Sequence, residues 1–421
     1  MSKAAQTKRI GAQVAELFEG NLPRRRRVGI LWHVFFQAAT IVGIIALATL
    51  LYNIVNQSFG LVAIRNKVDP ATLAVGSVPL EELEKEQLVT ILKSRITKNV
   101  FNRLNSEKPF EQRSREDVYN LVVTRVLEPE IVASWPLSTS LMERAAIQAQ
   151  VEAQWPDARL RFRSWLTLDF LKSTQSSKPA LAGVRTAILG SLWTIFIAIL
   201  VAFPLGVGAA IYLEEYASDN AINRIIETNI YNLAGVPSII YGMLGLAIFV
   251  RGLEPITSGA FLGFSSGTTA NGRTILSASL TLALLILPLL IINAQEAIRA
   301  VPNSLRQASY GLGATKWQTI WHHVLPSAIP GILTGTILAI SRAIGETAPL
   351  VVVGASTFIA VDPSSPFSKF TTLPIQIYQW TSRPQDQFRN IAAAAIIVLL
   401  MLLLSLNASA VLLRNRYSIR I

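Results

Sequence analysis

The 421-residue chain contains no cysteine and only three histidines. The first absence excludes disulfides, thiolate metal ligands and thiol nucleophiles. The second leaves His33 and the adjacent pair His322 and His323, without the carboxylate spacing of a zinc site. Charge is scarce as well, 15% of residues against 51% hydrophobic ones. With a mean hydropathy of +0.42, the chain falls among membrane proteins with a modest polar portion. A phosphate-cradling loop is also missing. The nearest approach, Gly311-Leu312-Gly313-Ala314-Thr315-Lys316-Trp317, lacks the glycine before the lysine and the hydroxyl after it. The chain is therefore expected to hydrolyse no ATP itself and to need no cofactor. An internal repeat of solenoid period is absent too.

Acids number 26 against 38 bases, a net charge of +12. The clearest basic cluster, Arg24-Arg25-Arg26-Arg27, stands directly before the first apolar run. Lys and Arg beside a membrane span tend to stay cytoplasmic, so the cluster is an orientation signal and no nucleic-acid partner is expected. The run behind it is longer than the roughly 7–15 residues of a secretion signal's apolar region, so it is expected to be retained as a membrane helix.

Six segments have the length and polarity to span a bilayer, at about 28–54, 187–213, 230–250, 275–292, 328–358 and 391–413. The fold expected is an all-α integral membrane protein with both termini cytoplasmic. A basic tail occupies 1–27, and a second tail with Arg414, Arg416 and Arg420 occupies 414–421. Span one, 28–54, is followed by a polar insertion, 55–180, and then by a core of five spans, 181–413, holding a cytoplasmic loop at 294–327. That loop carries Arg299, Arg306 and Lys316 and no acid after Glu296. Prolines and glycines inside the spans, among them Pro204, Pro237, Pro288, Gly345 and Pro349, are tolerated better in membrane than in water. The glycine- and threonine-rich stretch 258–272 is expected to be an exposed loop.

The insertion is expected to be extracytoplasmic, mainly helical and able to fold alone. From Pro79, the residues Leu80, Leu83, Leu88, Ile91, Leu92, Ile96, Val100 and Leu104 recur at helical spacing. Ser114 with Asp117 resembles an N-cap pair, and Ser140 with Glu143 has capping-box spacing. In LRFRSWLTL, Leu160 and Phe162 alternate with Arg161 and Arg163, as in a strand or a segment lying on the membrane surface. The stretch 173–179 is a linker by composition.

Two features carry chemistry. Arg342 and Glu346 stand one helical turn apart in an apolar frame running from about 331 to 358. A charge at the bilayer centre costs about 3 kcal/mol or more, and such charges normally line a transport path. The alternative is a salt bridge that merely lets the helix insert. Gly345 and Pro349 flank the pair as a hinge or a plain kink. Asn232 and Asn293 are further polar candidates.

The second feature is the loop SLRQASYGLGATKWQTIWHHVLPSAIPG, which is expected to form a short helix broken at Gly311 and Gly313 and a second helix ended by Pro326. It resembles the coupling motif of ATP-binding-cassette importer permeases. Gln307, Ala308, Ser309, Gly313, Leu325 and Pro326 stand at the motif's spacing, with Gln307 replacing the usual glutamate and His323 the usual isoleucine. The run LTGTILAISRAIGETAPL at 333–350 narrows the resemblance to phosphate-specific permeases of the PstA type, supported by GVPSIIYG at 235–242 and GVRTA at 183–187. The resemblance covers about 166–413 and implies a type I permease fold and the import of inorganic phosphate. It also implies a heterodimer with a sister permease, two cytoplasmic ATPase subunits and an extracytoplasmic phosphate-binding protein. It says nothing of the insertion's role.

Sulfate and molybdate permeases share the coupling loop, and GETAPL favours phosphate over them by resemblance alone. A membrane-anchored sensor or scaffold needs neither a coupling loop nor an intramembrane charge pair. A secondary transporter is expected to show internal repeats.

Overall fold

A computed structural model describes residues 22–68, 70–73, 78–80, 82–107, 109–177, 179–263, 271–355, 358–359 and 361–417. The tail before residue 22, the loop at 264–270 and the last four residues with Arg420 lie outside the described residues. The chain divides into two units at 56/57.

The described part of the first unit is helix α1, Leu22–Ser58, which runs past the unit boundary. It shows no apolar stripe: Trp32, Phe36, Val42 and Leu47 are all exposed around its circumference. A helix apolar on every side is at home in lipid. Trp32, Phe35 and Phe36 cluster with ring centroids 5.6–5.9 Å apart, two turns after the arginines, where interfacial aromatics are enriched.

The second unit opens with a sheet. Strand β1, Phe59–Asn66, lies between β2, Pro129–Pro136, and β3, Arg159–Ser164, antiparallel to both. Helix α2, Lys85–Arg95, α3, Lys98–Glu107, and α4, Arg115–Val122, fill the chain between β1 and β2. Their apolar positions converge on a core of their own, with Leu83, Leu88, Leu92, Val118 and Val122 inaccessible to solvent. Ser114 and Asp117 cap α4 reciprocally at 3.1 and 3.2 Å. Ser140 does not cap a helix. It is buried inside α5, Leu137–Met142, where its hydroxyl donates to the Pro136 carbonyl at 2.7 Å and accepts from the Leu61 amide at 2.9 Å. Helix α6, Arg144–Gln154, starts after Glu143 instead.

The two faces of the sheet pack differently. Leu61 and Ala63 meet Ile147 and Val151 of α6. Val62, on the opposite face, shares a core with Trp165, Phe170, Val184, Trp380, Phe388 and Ile391. Several of these belong to the ends of spans, so the expectation of a free-standing insertion holds for the α2–α4 core and fails for the sheet. Gln387 donates to the Ile131 carbonyl, and Asn390 donates to Ser134 at 3.0 Å, tying β2 to the last span.

Five helices are long and apolar enough to cross a membrane, or six if one bent pair counts as a single span. After α1 come α7, Arg185–Ile211, the bent pair α8, Ala221–Ala234, and α9, Ser238–Gly245, and then α10, Ile275–Arg299. Helix α11, Asn303–Gly311, precedes α12, Leu325–Gly345, α13, Ala348–Val353, and α14, Asp386–Tyr417. Helix α10 is the most enclosed, packed by α7 and α12 through Leu282, Ile286 and Leu290. Secondary structure is 74% helix. The third span, expected to run straight through 230–250, instead bends by 105° between α8 and α9. Gly235 caps α8, and Pro237, which has no N–H to donate, stands directly before α9.

Candidate functional site

The fifth span is broken too, and Pro349 explains where. A proline ring clashes with the carbonyl four residues earlier, here that of Gly345. Helix α12 accordingly ends at Gly345, Glu346 is extended (φ −75°, ψ 115°), and α13 restarts with Pro349 in its first turn. Proline there costs nothing, because the first N–H groups of a helix have no intrahelical acceptor. The expected position of the charge pair, inside one continuous helix, is therefore corrected. Arg342 lies in the last turn of α12, where the helix dipole favours a cation, and Glu346 lies just past the end.

The Arg342 Nε donates to Glu346 Oε1 at 3.3 Å. Among the described residues no other partner of the guanidinium is seen, and the side chain is 39% exposed against 18% for Glu346. One edge of the fork is thus tethered, and the terminal nitrogens can take oxyanion oxygens. Ser341, next in line, donates to Asn407 of α14 at 2.9 Å. Asn293 donates to the Leu289 carbonyl of its own helix at 2.8 Å, which is a structural use, and Asn232 is exposed near the end of α8.

The breaks in the third and fifth spans meet. A Cβ on Gly242 of α9 would lie 2.6 Å from the Pro349 Cα and 2.9 Å from its carbonyl oxygen. Tyr241, beside it, is buried and donates to the Leu233 carbonyl at 2.7 Å, tying α9 back across the bend to α8. Non-helical backbone at membrane depth survives only inside protein or along a water-filled cavity. Gly242→Ala is therefore expected to destabilise the fold by about 1–3 kcal/mol through overpacking. Gly345, whose Cβ would meet nothing within 4 Å, is the control: Gly345→Ala should leave the thermal midpoint unchanged or raise it. Equal midpoints for the two variants in detergent solution would contradict this packing.

The loop after α10 forms a knob. Gly313 adopts φ +82°, a left-handed turn that glycine enters without strain. Thr315 then caps the next turn with Gln318, and Ser309 and Thr319 bond across the knob at 2.9 Å. Gln307, Ala308 and Gly313 are exposed, Ser309 is buried, and Leu325 and Pro326 are half-buried. The second helix does not end at Pro326: Lys316–Gly345 runs as one element. A wider turn at Ile320–Val324 precedes the proline and gives its ring room, so no kink stops the chain. At the tip Leu312 is 91% exposed, and Trp317 and Trp321 stack at 5.5 Å while half exposed.

Sequence reasoning missed an ion pair beneath this knob. Arg306 of α11 donates from Nε and Nη2 to Glu215 Oε1 at 3.0 and 2.8 Å, and from its two terminal nitrogens to the Val301 and Ile298 carbonyls at 2.6 and 3.0 Å. Both side chains are buried. Beside it, Arg299 binds Glu214 at 2.6 Å. The signal was available: the acid pair Glu214-Glu215 closes the second span opposite a loop rich in arginine.

Comparison with known proteins follows from this geometry. Residues 202–419, just over half of the chain, match the family described as "Binding-protein-dependent transport system inner membrane component". The chain belongs to that family. Its members are transport subunits, and the matched segment holds the bent spans, the knob and the Arg342–Glu346 pair, leaving the insertion outside. The Bacillus subtilis protein "Probable ABC transporter permease protein YqgI" is 35% identical over 218 residues, 51% of this chain and 68% of its own. The Mycobacterium tuberculosis protein "Phosphate transport system permease protein PstA 1" is 36% identical over 234 residues, covering 55% and 70%. The Yersinia pestis "Phosphate transport system permease protein PstA" is 32% identical over 242 residues, covering 57% and 75%.

Proposed function

We propose that this chain is the transmembrane permease subunit of an ATP-driven importer that carries inorganic phosphate across the cytoplasmic membrane of a prokaryote. The observation that carries the reading is the Arg342–Glu346 pair, held where two broken spans meet and with guanidinium nitrogens available. A hydrogen phosphate can accept from the arginine fork while its own hydroxyl donates to the Glu346 carboxylate. Sulfate and molybdate dianions have no proton to offer at neutral pH and meet a repulsive carboxylate instead. The phosphate permeases among the relatives support the same substrate.

In this reading both termini are cytoplasmic, and Gln307, Ala308, Ser309, Gly313, Leu325 and Pro326 build the knob that an ATPase grips. The partners are a sister permease, two copies of that ATPase and an extracytoplasmic phosphate-binding protein. Gly345 and Pro349 serve as the hinge around which Arg342 is presented. The segments are a basic tail at 1–27, a first span at 28–54, the insertion at 55–180, the core at 181–413 and the final tail at 414–421.

The test is to insert two residues between Gly313 and Trp317. The variant is expected to reach the membrane and co-purify with the sister permease, yet lose substrate-stimulated ATP hydrolysis. Its exposed tip, Leu312 and the Trp317–Trp321 stack, would be displaced from the ATPase cleft. Normal phosphate uptake by this variant would remove the coupling assignment.

A further inference from the structure

The arginines of β3 point the opposite way from what their alternation implies. Val62 pairs with Arg161 and Gly60 with Arg163, and direct cross-strand partners share a face. Arg161 and Arg163 therefore lie on the Val62 face, the one packed toward the ends of the spans, while Phe162 is 53% exposed. The two arginines overhang a cleft of roughly 600 Å³, bounded by Trp165, Phe170, Leu181 and Ile391. Ile391 lies in the second turn of α14, and Leu181 lies four residues before α7, so the cleft opens where two spans leave the bundle.

The electrostatics of this cleft are unbalanced. The Arg163 guanidinium stacks 4.7 Å from the Trp165 ring. Burial, and after it the neighbouring Arg161 charge, pull Arg163 below its usual pKa. Asp169 is the one acid among the lining residues. Two like charges crowded at an edge strand, one of them desolvated, are relieved by an anion. The guanidinium fork matches phosphate oxygens.

We infer that the Arg161–Arg163 cleft binds a phosphate group, and its surroundings favour the headgroup of an anionic phospholipid as the source. Phe162, Leu168 and Leu181 are exposed apolar side chains on or beside its rim, 53%, 71% and 41% accessible. Arginine, tryptophan and exposed apolar groups together at the end of a span form the pattern of a membrane interface. The site is separate from the transport path and stands whether or not the substrate is phosphate.

The test labels arginines with phenylglyoxal in the purified full-length complex and reads each site by peptide mass spectrometry. Nanodiscs of phosphatidylcholine are compared with nanodiscs containing phosphatidylglycerol, and the former with and without added inorganic phosphate. Modification of Arg161 is expected to slow about tenfold with phosphatidylglycerol, the effect of a single charge-assisted hydrogen bond. Arg159, which does not line the cleft, should be labelled equally throughout. Slowing by inorganic phosphate alone keeps the site and names free phosphate as its source. No slowing in either arm, or equal slowing at Arg159, overturns it. As a second reading, Arg161→Gln with Arg163→Gln should abolish phosphatidylglycerol enrichment around the complex; unchanged enrichment counts against the site.

Discussion

Arg342→Lys is expected to cut phosphate uptake by about tenfold to a hundredfold, the loss of one or two charge-assisted hydrogen bonds. Lysine keeps the charge but presents a point donor in place of a planar fork, so it cannot hold Glu346 on one edge and an oxyanion on the other. The complex should assemble normally, because the side chain is 39% exposed and only its Nε is engaged. Replacing both Arg342 and Glu346 with leucine separates two roles. If the pair only neutralises itself within the membrane, removing both charges cancels the burial penalty and uptake survives. If the pair handles substrate, the double variant assembles and stays inactive. The account predicts the second outcome, measured as uptake per assembled complex.

The other large effect concerns the pair under the knob. Glu215→Ala leaves the Arg306 guanidinium buried without its carboxylate, and breaking a buried pair costs about 3–5 kcal/mol. A severe loss of folded protein is expected. Arg306→Met combined with Glu215→Leu should recover the protein, since two apolar groups replace two charges of similar volume. Phosphate moved per ATP hydrolysed should nevertheless stay below wild type. The fork that fixes α11 to the end of α7, through one carboxylate and two carbonyls, has no apolar equivalent. Wild-type levels and transport in Glu215→Ala would mean that the pair has no mechanical part.

Much of the membrane architecture was legible because apolar runs of sufficient length have few other fates. The interruptions were less so. Gly235 and Pro237 are ordinary stop signals, but membrane helices tolerate both residues, and tolerance masked a real bend. The reverse error occurred at Pro326, where a wide turn absorbs the ring and the helix runs on. Arg342 and Glu346 stood out in sequence because of where their charges lie. Their placement beyond a helix end depends on Pro349 acting on Gly345. The sheet was visible only as an ambiguous alternation at 159–164, since β1 pairs with segments some seventy and a hundred residues away. Local patterns say nothing about which strand an edge will find, and so the facing of Arg161 and Arg163 was read the wrong way round. The α2–α4 core, whose caps and contacts are local, emerged as its periodicity implied.

The central claim, an importer whose path recognises hydrogen phosphate through Arg342 and Glu346, is tested most directly by uptake into proteoliposomes. The reconstituted complex, with its binding protein and internal ATP, should accumulate labelled phosphate and be indifferent to excess sulfate. ATP-dependent accumulation of sulfate at a comparable rate, or phosphate uptake unaffected by loss of both side chains, would contradict it.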